Sequence, residues 1–152
     1  MLYTKCRFSV VDRVGAFVRR PPVTAAPEAT ILDVVKLMAA HNIGLVVVVE
    51  EGGRPVGVVS ERDVVRALAR GVELTEKALN VGTRGDLLTA RPDEEVYSVV
   101  KKMQKQGTRH ILVVDDVGRL VGVVSIRDLV EDRALRAIGD RVWRLPQEGR
   151  GV

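Results

Sequence analysis

The stretch Gly57-Val-Val-Ser60-Glu-Arg62-Asp63-Val-Val65 returns 65 positions later as Gly122-Val-Val-Ser125-Ile-Arg127-Asp128-Leu-Val130. The echo extends backwards from there. Thr24-Ala25 falls on Thr89-Ala90, Pro27 on Pro92, Val34-Val35-Lys36 on Val99-Val100-Lys101 and Met38 on Met103. Val48-Val49 matches Val113-Val114, and Gly53-Arg54 matches Gly118-Arg119. Two unrelated valine-rich strands would not keep prolines, glycines and methionines in step. The chain is one structural unit written twice.

Each copy reads alike. A short extended piece (Val23-Thr24-Ala25; Leu88-Thr89-Ala90) precedes a proline. A helix then opens near Thr30, with Asp33 three residues on as a capping box. Ile31, Val34, Val35, Leu37 and Met38 follow helical spacing, and Val96, Val99, Val100 and Met103 repeat it. A continuous apolar strand follows, Leu45–Val49 or Ile111–Val114. A glycine turn leads to a second strand, Pro55–Val59 or Leu120–Val124, and a last helix opens at Ser60 or Ser125. The order βαββα, twice, makes the fold class α/β. Neither unit of about 50 residues can bury its sheet alone. The economical arrangement packs the two sheet to sheet around a pseudo-two-fold axis. The expected domains are repeat 1 over 8–70, repeat 2 over 81–132 and a basic C-terminal helix and tail over 133–152. Residues 71–80 are the linker, inside a stretch 66–81 expected to be helical over Glu73–Leu79.

Composition narrows the class. Apolar residues make up 46% and aromatics only 3%, so the core is aliphatic. No apolar run approaches the roughly 18 residues of a membrane span. The N-terminus lacks a signal-peptide pattern, and the single Cys6 excludes an intrachain disulfide. A cytoplasmic protein is expected, and the arginine-rich charge suggests a thermophile. The net charge of +4 leaves nucleic acid open as a partner, but most charges are interspersed. Arg133, Arg136, Arg141, Arg144 and Arg150 are the exception, and they carry the alternative reading of a nucleic-acid-binding tail.

The repeated motif has its own chemistry. Ser60 stands where a helix begins and Asp63 lies on the first turn. Free backbone N–H groups at such an end suit a phosphate. An aspartate carboxylate can accept both hydroxyls of a ribose diol, and Arg62 offers a guanidinium to phosphate oxygens. The same Ser-x-x-Asp is also a plain capping box, worth about 1 kcal/mol. Both readings stand at this point.

Two βαββα copies ending in Gly-h-h-Ser-x-x-Asp, where h is apolar, closely resemble a tandem CBS-domain pair, the Bateman module. The resemblance covers about residues 8–132, with no enzymatic domain appended. It implies a stand-alone, non-catalytic ligand sensor, with an adenosine nucleotide in the cleft between repeats. AMP is the leading ligand; ADP, ATP and S-adenosylmethionine are the alternatives. Carried onto this chain, it joins Ser60, Arg62 and Asp63 to Gly82, Thr83, Asp86 and Leu88, plus Thr108, Arg109 and His110. The weaker mirror site joins Ser125, Arg127 and Asp128 to Ile43, Gly44 and Leu45 and to residues before Val23. Arg109 and His110 against Gly44 and Leu45 favour the first site for a phosphate. The segment before Thr24, through Arg19-Arg20-Pro21-Pro22, reads as two residues longer than its counterpart; either those arginines replace the missing phosphate contacts or the second site is empty, and an empty site is the favoured expectation. The family also implies a homodimer of pairs, and an unknown protein partner stays open.

Other candidates are plainer. His41 and His110 without clustered ligands do not make a metal site. Cys6 lacks a histidine partner nearby in sequence. No nucleophile–base pair or paired acid and base stands out, so an enzyme is not expected. The stripe Leu129, Val130, Ala134, Leu135, Ala137, Ile138, Val142, Trp143, Leu145 has helical spacing and suits a core or a dimer contact.

Overall fold

A computed structural model describes residues 12–130. Repeat 1 contributes β1 (Thr24–Ala25), α1 (Ile31–His41), β2 (Leu45–Val49), β3 (Pro55–Ser60) and α2 (Glu61–Ala69). A two-residue strand, β4 (Thr83–Arg84), follows. Repeat 2 contributes β5 (Thr89–Ala90), α3 (Val96–Gln106), β6 (His110–Val114) and β7 (Leu120–Ser125). Residues 126–130 are helical and are called α4. The expected βαββα order holds twice.

The two copies share their irregularities. β1 joins β2 in parallel, and β2 joins β3 as a hairpin; β5, β6 and β7 repeat this. Each hairpin shifts register one step from its end, at Val48/Val49 and at Val113/Val114. Asn42 and Gly107, 65 positions apart, both end their helices in the left-handed conformation. The caps differ. Thr30 and Asp33 form a closed box at α1, whereas Glu95 gives α3 no side-chain cap.

Side-chain alternation divides the core into layers. Val46, Val48 and Val59 face α1 and α2 in one buried cluster, while Ile111, Val113 and Val124 face α3 in the other. Val47 and Leu112 point the opposite way and belong to neither cluster, yet are 0% and 3% exposed. In a strand, successive side chains take opposite faces. These two therefore fill the layer between the sheets, which explains why β2 and β6 read as unbroken valine-rich runs.

The segments leading into each repeat cross over. Val14 and Phe17 lie in a 3-10 turn before repeat 1 but are buried in the repeat 2 cluster. The N–H groups of Val14 and Gly15 donate to the carbonyls of Glu94 and Pro92, and Val96 N–H donates back to Asp12. The linker does the same for repeat 1. Ile31 and Leu32 N–H groups donate to the Glu76 and Leu74 carbonyls, Ala78 N–H donates to Ala29, and Ala78 is buried there. The free N–H groups that begin α1 and α3 thus find carbonyls from the other repeat's leader.

This crossing corrects the expected linker. Only Ala78–Asn80 is helical, as a 3-10 turn, and residues 66–69 belong to α2. Within residues 73–77 the Leu74 and Glu76 carbonyls turn outward to α1, where they accept from Leu32 and Ile31.

Candidate functional site

Both Ser-x-x-Asp motifs form caps. Ser60 Oγ accepts from Asp63 N–H at 3.2 Å, and Asp63 Oδ2 accepts from Ser60 N–H at 2.8 Å. Ser125 and Asp128 repeat the pair, and Ser125 Oγ–H also donates to Asp128 Oδ2 at 2.9 Å. The boxes engage Oδ2 of each carboxylate; among the described residues no hydrogen bond reaches Oδ1. Capping therefore leaves half of each carboxylate for another role. Arg62 and Arg127 are exposed on the first turns.

β4 brings the repeat 2 leader to this motif. Arg84 pairs with Gly57 and Thr83 with Val58, so Gly82 lies against Val59, one step from Ser60. A Cβ at Gly82 would strike the Val58 carbonyl, so only glycine permits this approach. Of the residues assigned to the Asp63 site, Gly82 and Thr83 are thus set beside the strand that carries it. Asp86 is exposed with a left-handed φ of 22°. Leu88 packs against the repeat 2 cluster.

The turns before β2 and β6 are tied to the caps of their own repeats. Gly44 carbonyl accepts from Glu61 N–H at 3.0 Å, and Arg109 carbonyl accepts from Ile126 N–H at 2.8 Å. Leu45 pairs in register with Ser60, and His110 with Ser125. Ile43 packs on the repeat 1 cluster. Thr108 Oγ bonds the His110 backbone at both its N–H and its carbonyl, fixing the turn. Thr108, Arg109 and His110 therefore stand with Ser125 and Asp128; their partnership with Asp63 across the cleft belongs to the proposal below.

His110 is half-buried. Burial pushes its imidazole below its ordinary pKa; the Asp128 carboxylate opposes that shift and Arg109 adds to it. Arg109 is the fixed positive charge of that turn.

The leaders also correct the expected lengths. The bridges Arg13–Glu95 and Thr30–Lys77 are equivalent, so Arg13 corresponds to Lys77 and Val18 to Gly82. The carbonyls of Val23 and Leu88 accept from Val47 and Leu112, so these two correspond as well. Between them the first leader has Arg19-Arg20-Pro21-Pro22, and the second has Thr83-Arg84-Gly85-Asp86-Leu87. The segment before Thr24 is one residue shorter than its counterpart, not two longer. A uniform shift of 65 could not find this, because the leaders align at 64 and share almost no identities.

Other sites add little. One concavity of about 570 Å³ is lined by Val72, Glu73, Thr75, Glu76, Lys77 and Asn80. Another of about 270 Å³ lies between the hairpin turns, among Glu50, Glu51, Gly52, Arg54, Val117 and Arg119. Both are open, acidic or mixed in charge, and neither is lined by Asp63. Among the described residues no group of three His, Cys, Asp or Glu side chains could hold a metal, and no helix is long and apolar enough to cross a membrane. Leu129 is buried and Val130 is 56% exposed. Cys6, the remainder of the stripe and the five C-terminal arginines lie outside the described residues.

A family model described as CBS domain matches residues 14–70 and again 80–134. An uncharacterized protein of Methanopyrus kandleri is 34% identical over 119 residues, covering 78% of this chain and 61% of that protein. The L-aspartate semialdehyde sulfurtransferase of Methanocaldococcus jannaschii is 34% identical over 80% of this chain, which spans 23% of its length. A CBS domain protein from Pyrobaculum aerophilum, solved in complex with AMP, superposes with a TM-score of 0.77 at 36% identity, covering 84% of this chain and 98% of that one. The CBS domain pair of protein MJ0100, solved with 5'-methylthioadenosine and S-adenosyl-L-methionine, superposes with a TM-score of 0.76 at 31% identity, covering 82% and 98%.

Proposed function

The chain belongs to the CBS-domain family as a tandem pair, and from that premise we propose that it is a non-catalytic regulatory module binding an adenosine nucleotide, AMP foremost, between its repeats. The observation that carries this is the Asp63 cap. Its carboxylate engages Oδ2 only, while Gly82 and Thr83 of the other repeat's leader lie beside the same strand. A ribose diol on Asp63 Oδ1, phosphate oxygens on Arg62 and the helix end, and Arg109 from across the cleft complete the site. His110 contributes there as a hydrogen-bonding group. The AMP complex of a relative at 36% identity supports the choice of ligand.

The module acts in the cytoplasm as a homodimer. The exposed Val65 and Leu68 on α2 and Val130 on α4 offer the apolar contact. Ligand regulates by binding one packing of the repeats more tightly than another.

Calorimetry with AMP, ADP, ATP and S-adenosylmethionine tests the reading on wild type, Asp63→Asn and Asp128→Asn. The asparagine amide oxygen can still accept from the Ser60 N–H, so loss of binding reports on the ligand. AMP affinity should fall at least about tenfold in Asp63→Asn, equivalent to ~1.4 kcal/mol, and hold in Asp128→Asn. The reverse pattern assigns the wrong cleft.

A further inference from the structure

The two leaders follow different paths over equivalent strands. In repeat 1, β3 is covered by β4, which completes a four-stranded sheet. Among the described residues the repeat 2 sheet has no strand beyond β7, and Arg19-Arg20, the counterparts of Thr83-Arg84, join no strand. Three local differences enforce this. Gly82 lets the leader backbone touch Val58, whereas its counterpart Val18 sets its isopropyl group on Gly122. Gly85 and Asp86 have φ of 62° and 22°. At the same count, the first leader has Pro21 and Pro22, whose rings lock φ near about −65° and remove the N–H. The shorter first leader cannot copy the turn that carries β4 away from the sheet.

We propose that residues 82–87 form the wall that admits nucleotide to the Asp63 cleft, and that residues 18–22 deny the Asp128 cleft the same wall. This rests on the nucleotide-binding reading above and names the element that sets its stoichiometry. The cap motifs are equivalent on both sides; the leaders are not. Gly82, Gly85 and Asp86 are then positioning residues, holding a backbone edge one step from Ser60. Val18, Pro21 and Pro22 are their negative counterparts.

Two variants test this by calorimetry with AMP. In the first, residues 18–22 are replaced by a copy of residues 82–87. Binding should rise from one AMP per chain to two, and Asp128→Asn in that background should abolish the second. In the other, Gly85→Pro with Asp86→Pro should weaken the single site at least tenfold while the circular dichroism spectrum is retained. A folded graft that still binds one AMP overturns the proposal, as does a folded double-proline variant that binds like wild type. If wild type binds two AMP equally, the proposal fails while the nucleotide reading stands. If wild type binds none of AMP, ADP, ATP or S-adenosylmethionine, the nucleotide reading fails and the proposal with it.

Discussion

Residues 12–23 and 76–88 occupy equivalent places on opposite repeats, yet the second leader contributes a strand to the sheet it crosses and the first contributes none. The first leader is anchored by Phe17 and Val18, the second by Val81 and the approach of Gly82. A repeated cap motif therefore does not by itself guarantee two equal sites. The helix cap is a local object, made by residues three apart. The cleft beside it is completed by a backbone that arrives from elsewhere.

The largest test of this comparison is Phe17→Ala. Removing a buried aromatic side chain costs about 3–5 kcal/mol, and Phe17 is 6% exposed within the repeat 2 cluster. Its counterpart Val81 is only partly buried. Val81→Ala should cost about 1 kcal/mol, from two methyl groups partly returned to water. Urea denaturation compares them. Equal midpoints would mean that the two leaders stabilise their host repeats alike.

The helix caps come next. Thr30→Ala removes a closed box and should cost about 1 kcal/mol. Glu95→Ala removes no cap and only an exposed ion pair with Arg13 at 4.0 Å, so it should stay within about 0.5 kcal/mol. A larger cost for Glu95→Ala would show that its repeat relies on that pair.

The pH response separates the repeats further. Leu45 stands where His110 does in the second copy, so only repeat 2 has this switch. The folded pKa of His110 lies below its ordinary value of about 6.5. The unfolded chain therefore binds the proton first as pH falls, and stability drops below about pH 6.5 towards the lowered folded value. Thermal melts from pH 7 to 5 should show the fall, and His110→Gln should flatten it. An unchanged slope would remove His110 as its cause.

The smallest effect belongs to Asp33, whose counterpart is Ser98. Hydrogen bonds from the Thr30 backbone and side chain lower its pKa. Its stabilising effect is present above the ordinary carboxylate value and fades as pH falls through the lowered one. Melts below about pH 4 should respond to Asp33→Asn in the α1 half, and Ser98→Ala should not change that response.

Much of the fold was legible because it depends on neighbours. Leu45–Val49 and the Thr30–Asp33 box follow from runs and spacings within a few residues, and both appear as expected. The Ser60–Asp63 and Ser125–Asp128 caps were equally visible. The crossing of Val14–Phe17 onto repeat 2 was not. Its hydrogen-bond partners, Pro92 and Glu94, lie far along the chain, and no identity marks Val14-Gly-Ala-Phe17 as the counterpart of Ala78-Leu-Asn-Val81. The lowered pKa of His110 was not legible for a related reason, since burial depends on what packs around a side chain.

The sequence by itself determined the duplication, the βαββα order of each copy and the two Ser-x-x-Asp caps, because periodicity and contacts three residues apart are written locally. The tertiary structure alone decided which leader covers which sheet, that β3 gains β4 while β7 gains no such strand among the described residues, and that the pKa of His110 is lowered. Those outcomes turn on van der Waals contact and burial between groups distant in sequence: Gly82 against Val58, Val18 against Gly122, and the burial of His110, with Asp128 opposing its effect. The motif is symmetric, and the backbone that meets it is not.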